Sequence, residues 1–94
     1  MRVEWSNRAL SDMEELRAYI AQDSAARADD VFLKIATAVG RLEKYPLSGR
    51  PGRVAGTREL VVSKTPYIVP YCIRNGAPEI IAVVHGSRQW PDEF

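Results

Sequence analysis

The side chains able to meet a phosphate or an acidic group are Arg50, Arg53, Arg58, Lys64, Arg74, His85 and Arg88, with Trp90 and Phe94 close behind. An Arg guanidinium presents a planar fork of donors that matches phosphate or carboxylate oxygens. His85 is the only histidine, and an imidazole can exchange protons near neutral pH. A ring such as Trp90 or Phe94 can stack on an unpaired base. Each also has a plainer reading: His85 as the polar end of a strand, Trp90 as packing over a sheet edge.

Other chemistries are excluded. One His and one Cys leave no pair of metal ligands at helical or knuckle spacing. Gly49, Gly52 and Gly56 lie among Pro and Arg, without a Walker lysine or a strand–turn–helix context for phosphate binding. Nothing places a Ser or Cys72 beside His85 as a nucleophile. The sequence therefore calls for no metal and no cofactor. Cys72 cannot form an internal disulfide and sits in an apolar run, where a buried structural thiol is expected. No apolar run reaches the roughly 20 residues that span a bilayer. The first residues lack a signal-peptide core, so a cytoplasmic protein that does not meet a membrane is expected.

Net charge is +1, but its distribution is uneven. Residues 1–30 carry four Arg against seven acids, whereas residues 31–74 carry eight Lys and Arg against Glu43 and Glu59 alone. A basic middle in a nearly neutral chain implies one surface that faces a polyanion or an acidic partner.

The elements that must position these residues can be read from periodicity. At 94 residues there is room for one domain over residues 1–94 and one core. Val3 and Trp5 alternate as in a strand, and Ser6 can cap a helix whose apolar stripe is Ala9, Met13, Leu16 and Ile20. Asp23–Ser24 re-caps a second helix with Ala28, Val31, Phe32, Ile35, Val39 and Leu42 on one face, stopped by Pro46. The short link makes the pair a helical hairpin.

Residues 47–56 read as a loop from their Pro and Gly content. The period then changes to two: Leu60–Val62, Tyr67–Ile73 and Ile80–Val84 are β-rich runs, the last two joined by an Asn75–Gly76 hairpin turn. Pro70 cannot donate to a ladder, which implies an edge or a bulge in its strand. The result is an α+β, two-layer β-α-α-β-β-β domain. Its N-terminal helical hairpin packs on one face of a small antiparallel sheet, with the first strand at an edge and the other sheet face open.

That order resembles the RelE/ParE superfamily of toxins from type II toxin–antitoxin modules. So do the run Gly56-Thr57-Arg58-Glu59-Leu60, the strand Pro66-Tyr67-Ile68-Val69-Pro70-Tyr71 and the ending Ala82-Val83-Val84-His85-Gly86-Ser87-Arg88-Gln89-Trp90-Pro91. The likeness covers nearly the whole chain. It implies growth arrest by the free toxin and neutralisation by a cognate antitoxin in a hetero-oligomeric complex, with operator DNA reached only through the antitoxin.

The superfamily divides between RelE-like members that cut mRNA on the ribosome and ParE-like members that inhibit DNA gyrase without catalysis. The Tyr/Pro strand and the His-Gly-Ser-Arg ending lean towards the RelE-like mRNA endoribonuclease, with gyrase inhibition as the alternative. On the first reading Arg88, His85 and Arg58 are the catalytic candidates, and Lys64, Phe94 and Trp90 the substrate-binding ones. Arg88 falls where the RelE prototype has a catalytic Arg, and Phe94 where it stacks a ring on the base. Glu59, Val61 and Ile68 fall where that prototype is basic.

Overall fold

The computed structural model describes residues 2–87. In chain order it contains β1 (Glu4–Trp5), α1 (Asn7–Ala21), α2 (Ala25–Gly40), a 3-10 turn (Arg41–Glu43), β2 (Arg50–Pro51), β3 (Arg58–Val61), β4 (Tyr67–Arg74), β5 (Ala77–Ile80) and β6 (Val84–His85). Arg88, Trp90 and Phe94 lie outside the described residues.

Both helices start where a serine can cap them. Ser6 Oγ accepts from Ala9 N–H at 3.0 Å and Ser24 Oγ from Arg27 N–H at 3.1 Å, each satisfying an otherwise orphaned donor. The same Ser6 hydroxyl donates to Ile81 O at 2.9 Å, tying the start of α1 to the sheet. The predicted stripes are the buried ones: Ala9, Met13 and Leu16 on α1, and Ala28, Val31, Ile35 and Val39 on α2, with Leu42 following in the 3-10 turn. Phe32 is only partly buried and lies under the Arg17 guanidinium, 4.8 Å from the ring centre.

The sheet runs β1-β5-β4-β3-β2, with β6 also on β4. Its meander is antiparallel, but β1 joins β5 in parallel, so the six-stranded sheet is mixed rather than purely antiparallel. A long excursion through both helices separates β1 from β5, and a crossover of that length is what parallel pairing requires. The Asn75–Gly76 turn has φ of 52° and 77° at its two residues, the left-handed pair that joins tightly twisted strands.

The run expected over Ile80–Val84 is broken at residues 81–83, and Pro70 accounts for the break. Val62 N–H donates to Tyr67 O at 3.1 Å. By alternation, Tyr67, Val69 and Tyr71 therefore hydrogen-bond towards β3, while Ile68, Pro70 and Cys72 face β5 and β6. The proline turns its missing donor to that side, where the ladder is interrupted, and only its carbonyl is used, accepting from Ile81 N–H at 2.9 Å. Pro70 is thus neither at an edge nor at a bulge of its own strand: β4 runs unbroken from Tyr67 to Arg74 between β3 and β5, and the interruption falls in the facing run, which it splits into β5 and β6.

The helices cover the face bearing Tyr67, Val69, Tyr71, Ile80 and Val62. Ile35, Leu42, Tyr71 and Ile80 are fully enclosed, each worth about 1.5–3 kcal/mol of apolar burial. The opposite face carries only a small cluster of Ala82 and Val84 with Ile68 and Ile81 against it.

Candidate functional site

The loop between the 3-10 turn and β3 is fastened from beneath by three side chains. Tyr71 donates its hydroxyl hydrogen to Pro46 O at 2.8 Å and accepts from Gly49 N–H at 2.9 Å. Arg58 donates to Gly49 O at 2.8 Å and Leu47 O at 3.2 Å. Glu59, only 6% exposed, accepts from Arg50 Nε and Nη2 at 3.0 and 2.9 Å on one oxygen and from Arg53 N–H at 3.0 Å on the other. A Cβ on Gly49 would stand 2.6 Å from Tyr71 Cε1, so a glycine is needed for the loop to lie this close. The two residues Arg50–Pro51, read as loop from composition, are drawn into β2 by pairing with β3.

His85 is at the other end of the sheet. It pairs with Tyr67 across β6 and β4, and the two rings meet edge to face, 5.5 Å between centres. Ser87 N–H donates to His85 Nδ1 at 3.2 Å, with Ser87 Oγ at 2.7 Å. A nitrogen that accepts from a backbone N–H carries no proton, so the neutral ring holds its hydrogen on Nε2. The ring borders a groove of about 810 Å³ against α1, lined also by Asp12, Glu15, Leu16 and Tyr19.

Asp12 was not singled out in the sequence, yet it holds this end together. Its carboxylate accepts from Val83 N–H at 2.9 Å and lies 3.2 Å from Arg8 Nε. The available signal was a carboxylate on the flank of the Ala9–Met13–Leu16 stripe, where a polar side chain has to find a partner in the fold.

Arg58 and His85 are not brought together. Arg58 is opposite Tyr71 on β3 and His85 is opposite Tyr67 on β6. They flank β4 on different sides and stand four residues apart along it, roughly 13 Å of strand. Lys64 is elsewhere again, in the β3–β4 turn with φ of 64°. It borders a second groove of about 530 Å³ between α2 and β3, whose lining includes Leu33, Ala38, Arg41, Tyr45 and Leu60.

The sheet face away from the helices, on which Glu59 and Pro70 are themselves buried, is therefore not a cationic one. Alternation puts Glu59, Val61, Ile68, Pro70, Cys72 and Glu79 on it, together with Arg50 and Arg74. Both of these arginines face carboxylates, Arg50 that of Glu59 and Arg74 that of Glu79 at 3.6 Å. Burial pushes the Cys72 thiol above its ordinary pKa; Glu79 adds to the rise and Arg74 opposes it. Among the described residues no group of His, Cys, Asp and Glu is placed to hold a metal. No described helix is long and apolar enough to cross a membrane.

Residues 3–90 match the family model described as the ParE toxin of type II toxin–antitoxin systems. The chain is 48% identical over 90 residues to putative toxin Y4kP of Sinorhizobium fredii, covering 96% of this chain and 93% of that protein. It is 38% identical over 87 residues to toxin RelE2 of Caulobacter vibrioides, covering 93% and 97%. Its fold matches a chain of the chromosomal ParDE toxin–antitoxin system from P. aeruginosa with a TM-score of 0.81 at 22% identity, over 90% of this chain and 95% of that one.

Proposed function

Because the chain belongs to the ParE toxin family of type II toxin–antitoxin systems, we propose that it arrests growth by binding its target, DNA gyrase, rather than by cutting RNA. One observation carries this reading: the open sheet face, where the superfamily's ribonucleases gather cationic groups, has Glu59, Val61 and Ile68 in their place. An enzyme that cleaves RNA through attack of the 2′-oxygen has to stabilise charge developing on the phosphate, and each preorganised donor removed typically costs about 2.7–4 kcal/mol of that stabilisation. Val61 and Ile68 supply none. Arg50 and Arg58 are engaged in holding the loop, and Arg58 is remote from His85. In this reading Arg88, Trp90 and Phe94 are target contacts rather than parts of a cleavage site.

The partner in the cell is a cognate antitoxin. The groove between α2 and β3 suits it: an apolar lining bordered by Lys34, Arg41 and Lys64 against Asp30 alone. Such a rim favours an acidic amphipathic segment and steers its approach.

The deciding experiment induces the chain in growing bacteria and maps mRNA ends within minutes, alongside a gyrase supercoiling assay. Growth arrest with unchanged mRNA ends, a DNA-damage response and inhibited supercoiling are expected. New ends phased to codons, lost in Arg88→Ala, would put ribosome-dependent RNA cleavage in its place. Normal supercoiling at saturating chain would remove gyrase as the target.

A further inference from the structure

β6 is only two residues long, and the chain that leaves it is held by its own histidine. Gly86 N–H donates to Pro66 O at 2.7 Å, and a Cβ on Gly86 would stand 3.2 Å from that oxygen. Up to this residue the backbone is pinned against the start of β4. Ser87 instead turns both its N–H, at 3.2 Å, and its hydroxyl, at 2.7 Å, on His85 Nδ1. That nitrogen can accept only while it carries no proton. The ring is seated independently of this contact, edge to face with Tyr67 across the β4–β6 ladder.

We propose that His85 is a proton-sensitive clasp at the root of the C-terminal segment. In the neutral ring Nδ1 accepts from Ser87 and sets the direction in which the chain leaves β6. When the ring takes up a second proton, Nδ1 becomes a donor and meets the Ser87 N–H donor to donor. The hydroxyl adapts by rotating, so that Oγ accepts from Nδ1–H. The backbone N–H has no such freedom. Protonation therefore exchanges a backbone clasp for a side-chain one and frees the Ser87 amide. The groups that face the ring are Arg8, Asp12, Glu15 and Tyr19 from α1, across the groove, and Tyr67 from β4. Two carboxylates against one guanidinium, itself engaged by Asp12, make that side of the groove compatible with an imidazolium. Residues 88–94 follow directly in the sequence and carry Arg88, Trp90 and Phe94. Acidification loosens the root of that segment, and the clasp stands whichever target the segment meets.

The test is an NMR titration of the isotope-labelled full chain across about pH 8 to pH 5, where imidazoles change charge. It follows the His85 ring nitrogens and the Ser87 amide together. At the high end an unprotonated Nδ1, a proton on Nε2 and a downfield Ser87 amide are expected. The amide should move upfield with the same midpoint as the ring. Its protection from exchange should fall roughly fivefold, the ratio that one ordinary hydrogen bond supports. His85→Asn keeps an acceptor two residues before the N–H, in an Asx turn, without a group that titrates. Its Ser87 amide should stay downfield throughout. Ser87→Ala removes the hydroxyl alone and should keep the pH-dependent amide shift. A proton on Nδ1 at the high end, a Ser87 amide that ignores the titration of the ring, or a pH-dependent shift that persists in His85→Asn overturns the clasp. Should a variant fail to fold, the titration of the unsubstituted chain decides alone.

Discussion

In the first half of β3, Arg58 Nη1 and both Glu59 carboxylate oxygens hold the loop through Leu47 O, Gly49 O, Arg50 and Arg53 N–H. Two residues on, Val61 is half exposed and its backbone groups face a groove instead of a strand. One four-residue strand thus has a closed end and an open end. The basic segment of the sequence is divided between them: Arg50 and Arg58 serve the closed end, while Arg41 and Lys64 border the open one. Positive charge in this chain is therefore of two kinds, structural and available, and net charge alone does not separate them.

The contrast breaks first at Tyr71. Tyr71→Ala removes a fully buried ring and should cost about 3–5 kcal/mol, enough to unfold much of a chain this size. Tyr71→Phe leaves Gly49 N–H and Pro46 O without a partner and should cost about 1–3 kcal/mol. Glu59→Ala should fall in the same range, because it releases both Arg50 and Arg53 N–H. Denaturant melts check all three, and Val61→Ala should move the midpoint least. A Tyr71→Phe chain as stable as the parent would mean that the loop is not held as described.

The open end is sharpened by charge reversal. Arg41 and Lys64 belong to no described ion pair, and Arg41→Glu and Lys64→Glu should change stability by no more than about 0.5 kcal/mol. Both should slow antitoxin association, and raising salt should narrow the gap to the parent, since steering is screened beyond about 10 Å at 0.1 M. Arg50→Glu should do the reverse, destabilising the chain with little effect on the association rate. Equal effects from both ends would erase the distinction.

Much of this was legible in the sequence, and the misses share a cause. Ser6, Ser24, the two helical stripes and the Asn75–Gly76 turn are local signals, set by neighbours within a few residues, whereas the ladder break caused by Pro70 falls on the facing run rather than in its own strand. The parallel β1–β5 pair, the Asp12–Val83 bond and the partners of Tyr71 depend on residues 22 to 75 positions away, and the short β2 on a pairing with β3 across an irregular loop. Periodicity carries no information about such contacts. The proposed site suffered in the same way. Arg58, Lys64 and His85 are alike in being cationic or able to become so, but the fold sends each to a different place. Glu59 could be seen to stand where a ribonuclease is basic; that it holds two parts of a loop could not.

The smallest effect addresses the open face itself through Cys72, which stands opposite Glu79 on it. Burial, then the Glu79 carboxylate, hold its pKa above the ordinary thiol value. The thiolate is the reactive form, so alkylation should be slower than for an exposed peptide thiol and should gain speed only as pH rises beyond the usual range. The linked effect on folding has the same sign. A folded-state pKa raised above the unfolded one contributes stability that is present below the unfolded value and lost as pH climbs through the folded one. Glu79→Gln should quicken alkylation and Arg74→Gln should slow it. Iodoacetamide rates across pH measure all of this. A face built to hold an RNA backbone would pull the thiol down instead, so Cys72 reacting faster than a free peptide thiol would count directly against a binding toxin and for a cationic cleavage surface.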